Sequence, residues 1–413
     1  MQVNMPHSTD HRPFSGKFSL MNSPDPFRCF HRFAESVSDA ASGISPSWKL
    51  PSKTTTETEA VPKKILLAVS GGADSVAMFH CVRRLDGVTP DQLIVAHFDH
   101  GVRPDSASDA AWVRQLAETS GVQCVIGSRN AADLADNDGY DDSEDALRRA
   151  RYLFLEREAH RFGVRTVWTA HTLDDQIETV LHRILRGTGL RGLTGIPVTR
   201  PFDNGNGDSM EQIRIFRPML QIDRLAIVDF LREIGQPWRE DATNAATDYT
   251  RNRIRHELLP LIESRYASGV RRSLARLATL ANDAVRHLDT RIARWYDQVI
   301  RIETETVPAN TDSAENRTTE NTTVRVDRAS LADQESELIR ELLRRIWREC
   351  RWPQREMGFD HWNTLAGMLH TGSPRRRMFP GGILATVRRH ALELTHAPAL
   401  IHPAGTKQER ERE

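Results

Sequence analysis

The sequence predicts an α/β fold, a doubly wound parallel sheet followed by a helical domain and a small α+β C-terminal module. Three observations carry this. From Pro62 onward, short apolar runs alternate with longer amphipathic stretches, the pattern of strands covered by helices on both faces. The run Ile65–Val69 passes through a glycine turn straight into a helical pattern. Glu303 to Thr323 is almost free of apolar residues and separates this alternation from a shorter segment behind it. At 413 residues, with 39% hydrophobic and 27% charged residues, the chain has room for two or three domains of an ordinary globular protein.

Residues 1–60 are polar and rich in Pro, Ser and Thr, which predicts a disordered leader with one short apolar patch, Phe27 to Phe33. Residues 61–240 are expected to form the parallel-sheet domain. Its strands are Ile65–Val69, Leu93–Phe98, Val122–Ile126, Val164–Ala170 and Ile213–Phe216. Its helices are Ser75–Leu85, Ser106–Ser120, Glu144–Phe162, Asp174–Arg186 with Thr172 as N-cap, and Arg224–Ile234. Arg186–Gly195 is a glycine-rich loop, and Pro201–Gln212 a polar surface loop. Residues 241–302 read as a helical domain, with a long helix from about Ser268 to Ile302. Residues 303–325 read as a disordered linker. Residues 326–400 should hold two helices, Glu335–Cys350 and Phe359–Leu369, and a hairpin turning at Pro380-Gly381-Gly382. Residues 401–413 are a charged tail.

No stretch is apolar enough to span a bilayer, and Met1 to Pro24 lacks the apolar core of a secretory signal, so no membrane association and a cytoplasmic location are expected. The four cysteines, Cys29, Cys81, Cys124 and Cys350, are scattered without a CxxC pair. Neither a zinc knuckle nor a cluster site is supported. Net charge is zero, but the basic residues are nearly all Arg and they cluster. Residues 148–200 hold ten Arg against five acids, and 251–276 seven against two. Local clusters of this kind favour a nucleic-acid partner.

Ser70-Gly71-Gly72-Ala73-Asp74-Ser75 joins the first strand to the first helix. Glycines let backbone approach a phosphate, and the first helical turn points its N–H groups at an anion. Ser70 and Ser75 add hydroxyls. Asp74 would be repelled by a phosphate unless a cation lies between them, which makes it a candidate Mg²⁺ contact. The string is neither a Walker A loop nor GxGxxG. His171 precedes a helix whose first turns carry Asp174, Asp175 and Glu178. Three carboxylates so close repel one another and favour a cation, either Mg²⁺ or a substrate ammonium. Arg148 and Arg151 share a helix face, as would Arg251 and Arg255, with Arg253 between them. His97 and His100 flank Asp99, with no further ligands at zinc spacing.

Taken together, SGGADS (70–75), AHFDHGVR (96–103), EDALRRARY (144–152), AHTLDDQIET (170–179), RGTGLRGLTGI (186–196) and RNRIRHELLP (251–260) resemble the tRNA(Ile)-lysidine synthases, enzymes with a Rossmann-like PP-loop fold of the ATP pyrophosphatase type. The resemblance is strong from Lys64 to Pro260. It implies that ATP and Mg²⁺ are used to adenylate C2 of the wobble cytidine of an isoleucine tRNA with a CAU anticodon, and that L-lysine then displaces AMP. It makes 61–240 the catalytic domain and 241–302 a tRNA-contacting domain. By the same resemblance Ser70, Gly71, Gly72, Ala73, Asp74, Ser75 and His97 bind ATP, with Asp74 on the metal. Asp74, His171, Asp175, Glu178, Arg148 and Arg151 form the catalytic set, and Arg251, Arg253 and Arg255 contact tRNA. The competing classes are a PP-loop tRNA 2-thiolation enzyme, a small-molecule amidating ligase and a non-catalytic tRNA-binding protein. A homodimer stays open as an assembly, since no feature of the sequence fixes the oligomeric state.

Overall fold

The computed structural model describes residues 28–43, 64–101, 106–128, 144–202, 213–240, 250–308, 318–354 and 356–396. They divide into two units, 1–188 with 195–278, and 189–194 with 279–413. The first contains α1 (Arg28–Gly43), β1 (Ile65–Ala68), α2 (Ala73–Val82), β2 (Leu93–Asp99), α3 (Ser106–Thr119), β3 (Gln123–Ser128), α4 (Glu144–Arg161), β4 (Thr166–Trp168) and α5 (Leu173–Leu185). After α6 (Leu190–Leu193), which belongs to the second unit, it continues with β5 (Thr199–Pro201), β6 (Arg214–Phe216), α7 (Arg224–Glu233), α8 (Thr250–Arg253) and α9 (Leu259–Arg265). The long α10 (Val270–Ala293) runs across the boundary at residue 278.

The strands of the first unit form one sheet in the order β3-β2-β1-β4-β6-β5. All neighbours pair in parallel except β5, which lies antiparallel to β6 at the edge. This bears out the parallel doubly wound sheet and adds β5. Side chains alternate across the sheet with period two. Ile65, Leu67 and Val69, with Leu93 and Val95, pack on one face against Met78 and Phe79 of α2 and Phe230 of α7. Leu66, Ile94, Ala96 and Phe98 pack on the other against Ala150, Phe154 and Leu155 of α4. A strand buried on both faces needs the unbroken apolar run that marked β1 in the sequence. From β1 the chain steps to β2 on one side, and β4 returns on the other. The strand order therefore reverses between β1 and β4, where ligands of such sheets bind, at the carboxyl ends. The Ser70–Ser75 loop leaves β1 at this point, and α5 leaves β4.

The leader departs from expectation. Residues 28–43 form α1, with Cys29, Phe33 and Val37 on one buried stripe at helical spacing. The Phe33 ring lies 6.2 Å from that of Trp168, and Arg28 bonds Asp223, the N-cap of α7, at 2.6 Å. The polar composition around it hid a three-residue apolar face. Phe33→Ala should cost roughly 3 kcal/mol of unfolding free energy, as buried Phe truncations do. Urea denaturation measures it, and a loss below about 1 kcal/mol would show α1 to be an appendage.

The expected linker is also corrected. Around residue 300 the helical stretch stops: α10 ends at Ala293, α11 (Tyr296–Val299) follows, and Ile300 opens β7 (Ile300–Pro308). β7 pairs antiparallel with β8 (Thr318–Asp327). Thr and Val are β-branched and suit an extended backbone whatever their polarity, so low hydrophobicity there did not mean disorder; residues 309–317 lie outside the described residues. The second unit continues with α12 (Ser336–Glu349), α13 (Phe359–His370), β9 (Arg376–Phe379), β10 (Ile383–Val387) and β11 (Ala391–His396). Its five strands run in the order β7-β8-β11-β10-β9, all antiparallel. The turn at Pro380-Gly381-Gly382 joins β9 to β10, with both glycines at positive φ, and a further strand extends the expected hairpin. Trp347 meets Trp352 and Trp362 edge-on at 4.8 and 5.3 Å in its core.

The glycine-rich loop has an unforeseen role. Gly189–Thr194 lies in the second unit although the chain on either side lies in the first. Arg191 reaches both Asp289 of α10 and Glu341 of α12, and Asn282 donates to the Thr194 carbonyl at 3.1 Å. Glu341 is 1% exposed, so its charge depends on Arg191 and on Arg344.

Candidate active site

The Ser70–Ser75 loop is held open by its own hydroxyls. The Ser75 hydroxyl accepts from the Ser70 N–H at 3.1 Å and donates to the Gly72 carbonyl at 2.9 Å. Gly71 has φ +95°, a conformation that favours glycine; its carbonyl accepts the Arg239 N–H at 2.9 Å. Nine of the ten residues of α2 are buried, and Asp74 is the exception. The helix is therefore anchored by its whole circumference, with its N–H-rich end and one carboxylate facing the crevice. On the next strand His97 Nδ1 donates to the Val69 carbonyl at 2.9 Å. Burial lowers the His97 pKa, so a neutral ring braces the end of β1.

Across the crevice Thr172 caps α5 as the sequence predicts. Its N–H reaches Asp175 Oδ2 at 2.8 Å, which leaves Oδ1 to face Arg251 at 3.3 Å and Arg255 at 3.5 Å. Glu178, one turn on and 1% exposed, meets Arg255 Nε at 2.5 Å and Arg251 Nε at 3.2 Å. Asp174 bonds Arg271 at 2.7 Å and accepts the Arg224 N–H at 3.1 Å. Asp74 bonds Arg224 at 2.6 Å. A π-helical turn, Ile254–Leu258, links α8 to α9 beside the arginines that reach α5. Four carboxylates are thus met by four guanidinium groups from the chain itself.

With this geometry in hand, the comparisons with known proteins are specific. The sequence profile of the PP-loop domain (ATP_bind_3) matches residues 49–262. A tRNA(Ile)-lysidine synthase of Rhodopirellula baltica is 35% identical over 368 residues, 80% of this chain and 89% of that protein. The chain belongs to the tRNA(Ile)-lysidine synthase family of PP-loop proteins. Enzymes of the same name from Deinococcus deserti and Solibacter usitatus are 41% and 32% identical. Those matches cover 54% and 77% of this chain but 39% and 64% of the relatives, so the chain spans well under the full length of some family members. Among the described residues no helix is long and apolar enough to cross a membrane.

Within this family member the expected site residues fall into three groups. Asp175, Glu178, Arg251 and Arg255 form one ion-paired cluster, and Asp74 pairs separately with Arg224. His171 and Arg148 line a cavity beside α5, together with Arg200 and Arg217. Arg151 lies over the Tyr152 ring at 5.7 Å. Arg253 stands apart, 65% exposed with Glu257 at 3.8 Å. Arg224, Arg217 and Arg239 were missed. Arg217 follows the end of β6, and ligands of such sheets bind at the carboxyl ends of the strands. Arg224 opens α7, where a cation opposes the helix dipole, and that unfavourable placement was the available signal.

The ionisation of the site follows from burial. Desolvation raises the Asp74 pKa against the pull of Arg224, and raises that of Glu178 against Arg255. Burial also opposes charge on Asp175, but Arg251, the Thr172 N–H and Arg255 together hold its carboxyl below the usual range. Burial brings His171 down to about 3, so the ring is neutral at physiological pH, with Nδ1 3.0 Å from the Thr169 hydroxyl. A depressed pKa contributes stability above the unfolded value of 6.5, lost as pH falls towards the folded value. The unfolded chain takes up a proton that the folded chain refuses. Between pH 6.5 and 3 this term removes about 1.4 kcal/mol per pH unit. His171→Gln should therefore lose less stability than the parent chain between pH 7 and pH 5. Parallel denaturation slopes over that interval, measured in urea at each pH, would mean that His171 charges freely in the fold.

Proposed function

We propose that this chain joins L-lysine to the wobble cytidine of tRNA(Ile) with a CAU anticodon, using ATP. What supports it is one juxtaposition: an anion-cradling loop at the end of β1 faces a carboxylate-bearing helix at the end of the adjacent β4. The cytidine O2 attacks the α-phosphorus of ATP, and the bond to the β-phosphate oxygen breaks to release pyrophosphate. An amine of lysine then adds at C2 and loses a proton, and AMP departs with the former O2.

The loop N–H groups hold the departing pyrophosphate. Arg251 and Arg255 are counter-ions for Asp175 and Glu178 until nucleotide arrives. Drawn towards phosphate, they would leave these two carboxylates to hold the lysine ammonium and to take the proton that frees its amine for attack. Neutral His171 orients the base or nucleotide by hydrogen bonding. Asp74, with Asp175 near enough to affect its ionisation, fits a Mg²⁺ ion, which takes one or two carboxylates together with substrate phosphates. When bound, that ion would supply positive charge to the triphosphate.

A 2-thiolation reaction needs a reactive thiol. Cys29 and Cys81 are fully buried in the core. Burial pushes Cys124 and Cys350 up to about 11, which disfavours the thiolate. The deciding experiment incubates a CAU-anticodon tRNA with the protein, ATP and lysine and weighs the nucleosides. Lysidine in place of cytidine is expected. Unmodified cytidine, or AMP release indifferent to lysine, would overturn the proposal.

A further inference from the structure

Beside α5 lies a cavity of about 500 Å³ that receives Arg148, Arg200, Arg217 and His171 and, among the described residues, has no carboxylate in its lining. Arg217 is 2% exposed. Its Nη1 donates to the Pro197 carbonyl at 2.8 Å, and among the described residues neither its buried Nε nor that of Arg200 has a partner. None of Arg148, Arg200 and Arg217 forms an ion pair among the described residues. What gathers them is Tyr152. Its ring lies 4.9 Å from the Arg148 guanidinium and 5.2 Å from that of Arg200, and its phenol accepts from Arg148 at 3.3 Å. A cation–π contact offsets only part of what it costs to remove each charge from water. The cluster is therefore short of negative charge in a way that the crevice, with its four matched pairs, is not.

We propose that this cavity is a subsite for one phosphate of the RNA backbone, the phosphodiester next to the reacting base. The inference rests on the tRNA reading above and names a contact within it. Arginine forks meet phosphate oxygens bidentately, and the volume suits a nucleotide-sized group. No residue of the Ser70–Ser75 loop lines the cavity, so the triphosphate tail of ATP has a separate place. His171 and Arg251 lie in its wall, which puts a bound phosphate beside the carboxylates of α5. Arg148 and Arg151, noted in the sequence as one cationic helix face, turn one member into this cavity and stack both on Tyr152.

The test pairs a side chain with a linkage. Anticodon stem–loop RNAs, each with one methylphosphonate replacing one phosphate, are bound to the parent protein and to Arg200→Gln. One linkage beside the target cytidine should weaken binding to the parent about tenfold, the scale of a charge-assisted hydrogen bond. Arg200→Gln should lose a similar factor with unmodified RNA and nothing further at that linkage. Titrations with inorganic pyrophosphate and with L-lysine should give the same affinities for both proteins. Equal methylphosphonate penalties in parent and variant at every linkage would overturn the subsite, as would a variant that loses pyrophosphate or lysine instead. Arg200→Met, which keeps an aliphatic stem of similar reach, provides the same comparison should Arg200→Gln fold poorly. Nucleoside analysis with unmodified tRNA and the parent protein reports separately on lysidine formation, so a failed subsite and a failed function are told apart.

Discussion

Asp74→Ala is expected to leave a folded protein that releases almost no AMP. Asp74 is the single member of α2 that is not buried, so its removal leaves the packing of that helix intact. Its partner Arg224 is 51% exposed in the pair, and water can solvate the guanidinium left behind. Under the proposed function, the lost carboxylate is the one that helps to balance charge on the triphosphate. Removing one such electrostatic contributor costs roughly 10²–10³ in rate. The readouts are lysine-dependent AMP release and tRNA binding by the same preparation. AMP release should fall by that factor while the tRNA affinity holds. A protein that loses tRNA binding and its thermal transition together would make Asp74 a structural residue.

Asp175→Asn separates charge from scaffold on α5. The side-chain oxygen of Asn can still accept from the Thr172 N–H, so the helix cap survives. The negative charge that faces Arg251 and Arg255 does not. If Asp175 serves the lysine amine, kcat/KM for lysine should fall roughly 10²–10³-fold, while the affinity for ATP stays within a factor of a few. Unfolding free energy should change by no more than about 1–2 kcal/mol, because Glu178 still answers both arginines. Glu178→Gln is the contrasting case. Its carboxylate is buried between the two guanidinium groups, and breaking such a pair costs about 3–5 kcal/mol. Lysine kinetics that are equal in Asp175→Asn and the parent protein would remove Asp175 from the chemistry.

What could be read in advance follows from how local each signal is. The strands and the Ser70–Ser75 loop were legible because a strand buried on both faces leaves an unbroken apolar run, and because the glycine turn and α2 adjoin in sequence. The acids of α5 were legible for the same reason, all within one helical turn. Their counter-ions were not. Arg224, Arg251, Arg255 and Arg271 lie 50 to 97 positions away from Asp174 and Asp175 or on other helices, and pairing over such distances is set by tertiary packing. The sequence offered two candidates for the cation beside three crowded carboxylates, a metal and a substrate ammonium. The fold supplies guanidinium groups there. Buried Arg217 carried no periodic signal at all, since one residue at a strand end has no pattern around it. β7 and β8 were hidden by composition, because threonine counts as polar on a hydropathy scale yet favours extended backbone.

The excursion of Gly189–Thr194 bears on how this protein can be cut for study. A fragment ending at residue 278 looks like a tidy half of the chain, but it would carry a six-residue tether whose anchors, Asp289 and Glu341, had been discarded. Leu190 and Leu193 would lose the environment they fold in, and Arg191 its two acids. That tether begins four residues beyond the last residue of α5, so any slackness is delivered next to the helix that bears Asp175 and Glu178. Poor turnover by such a half-molecule would report the missing moorings as much as any lost tRNA contact, and the intact chain is the proper object for kinetics.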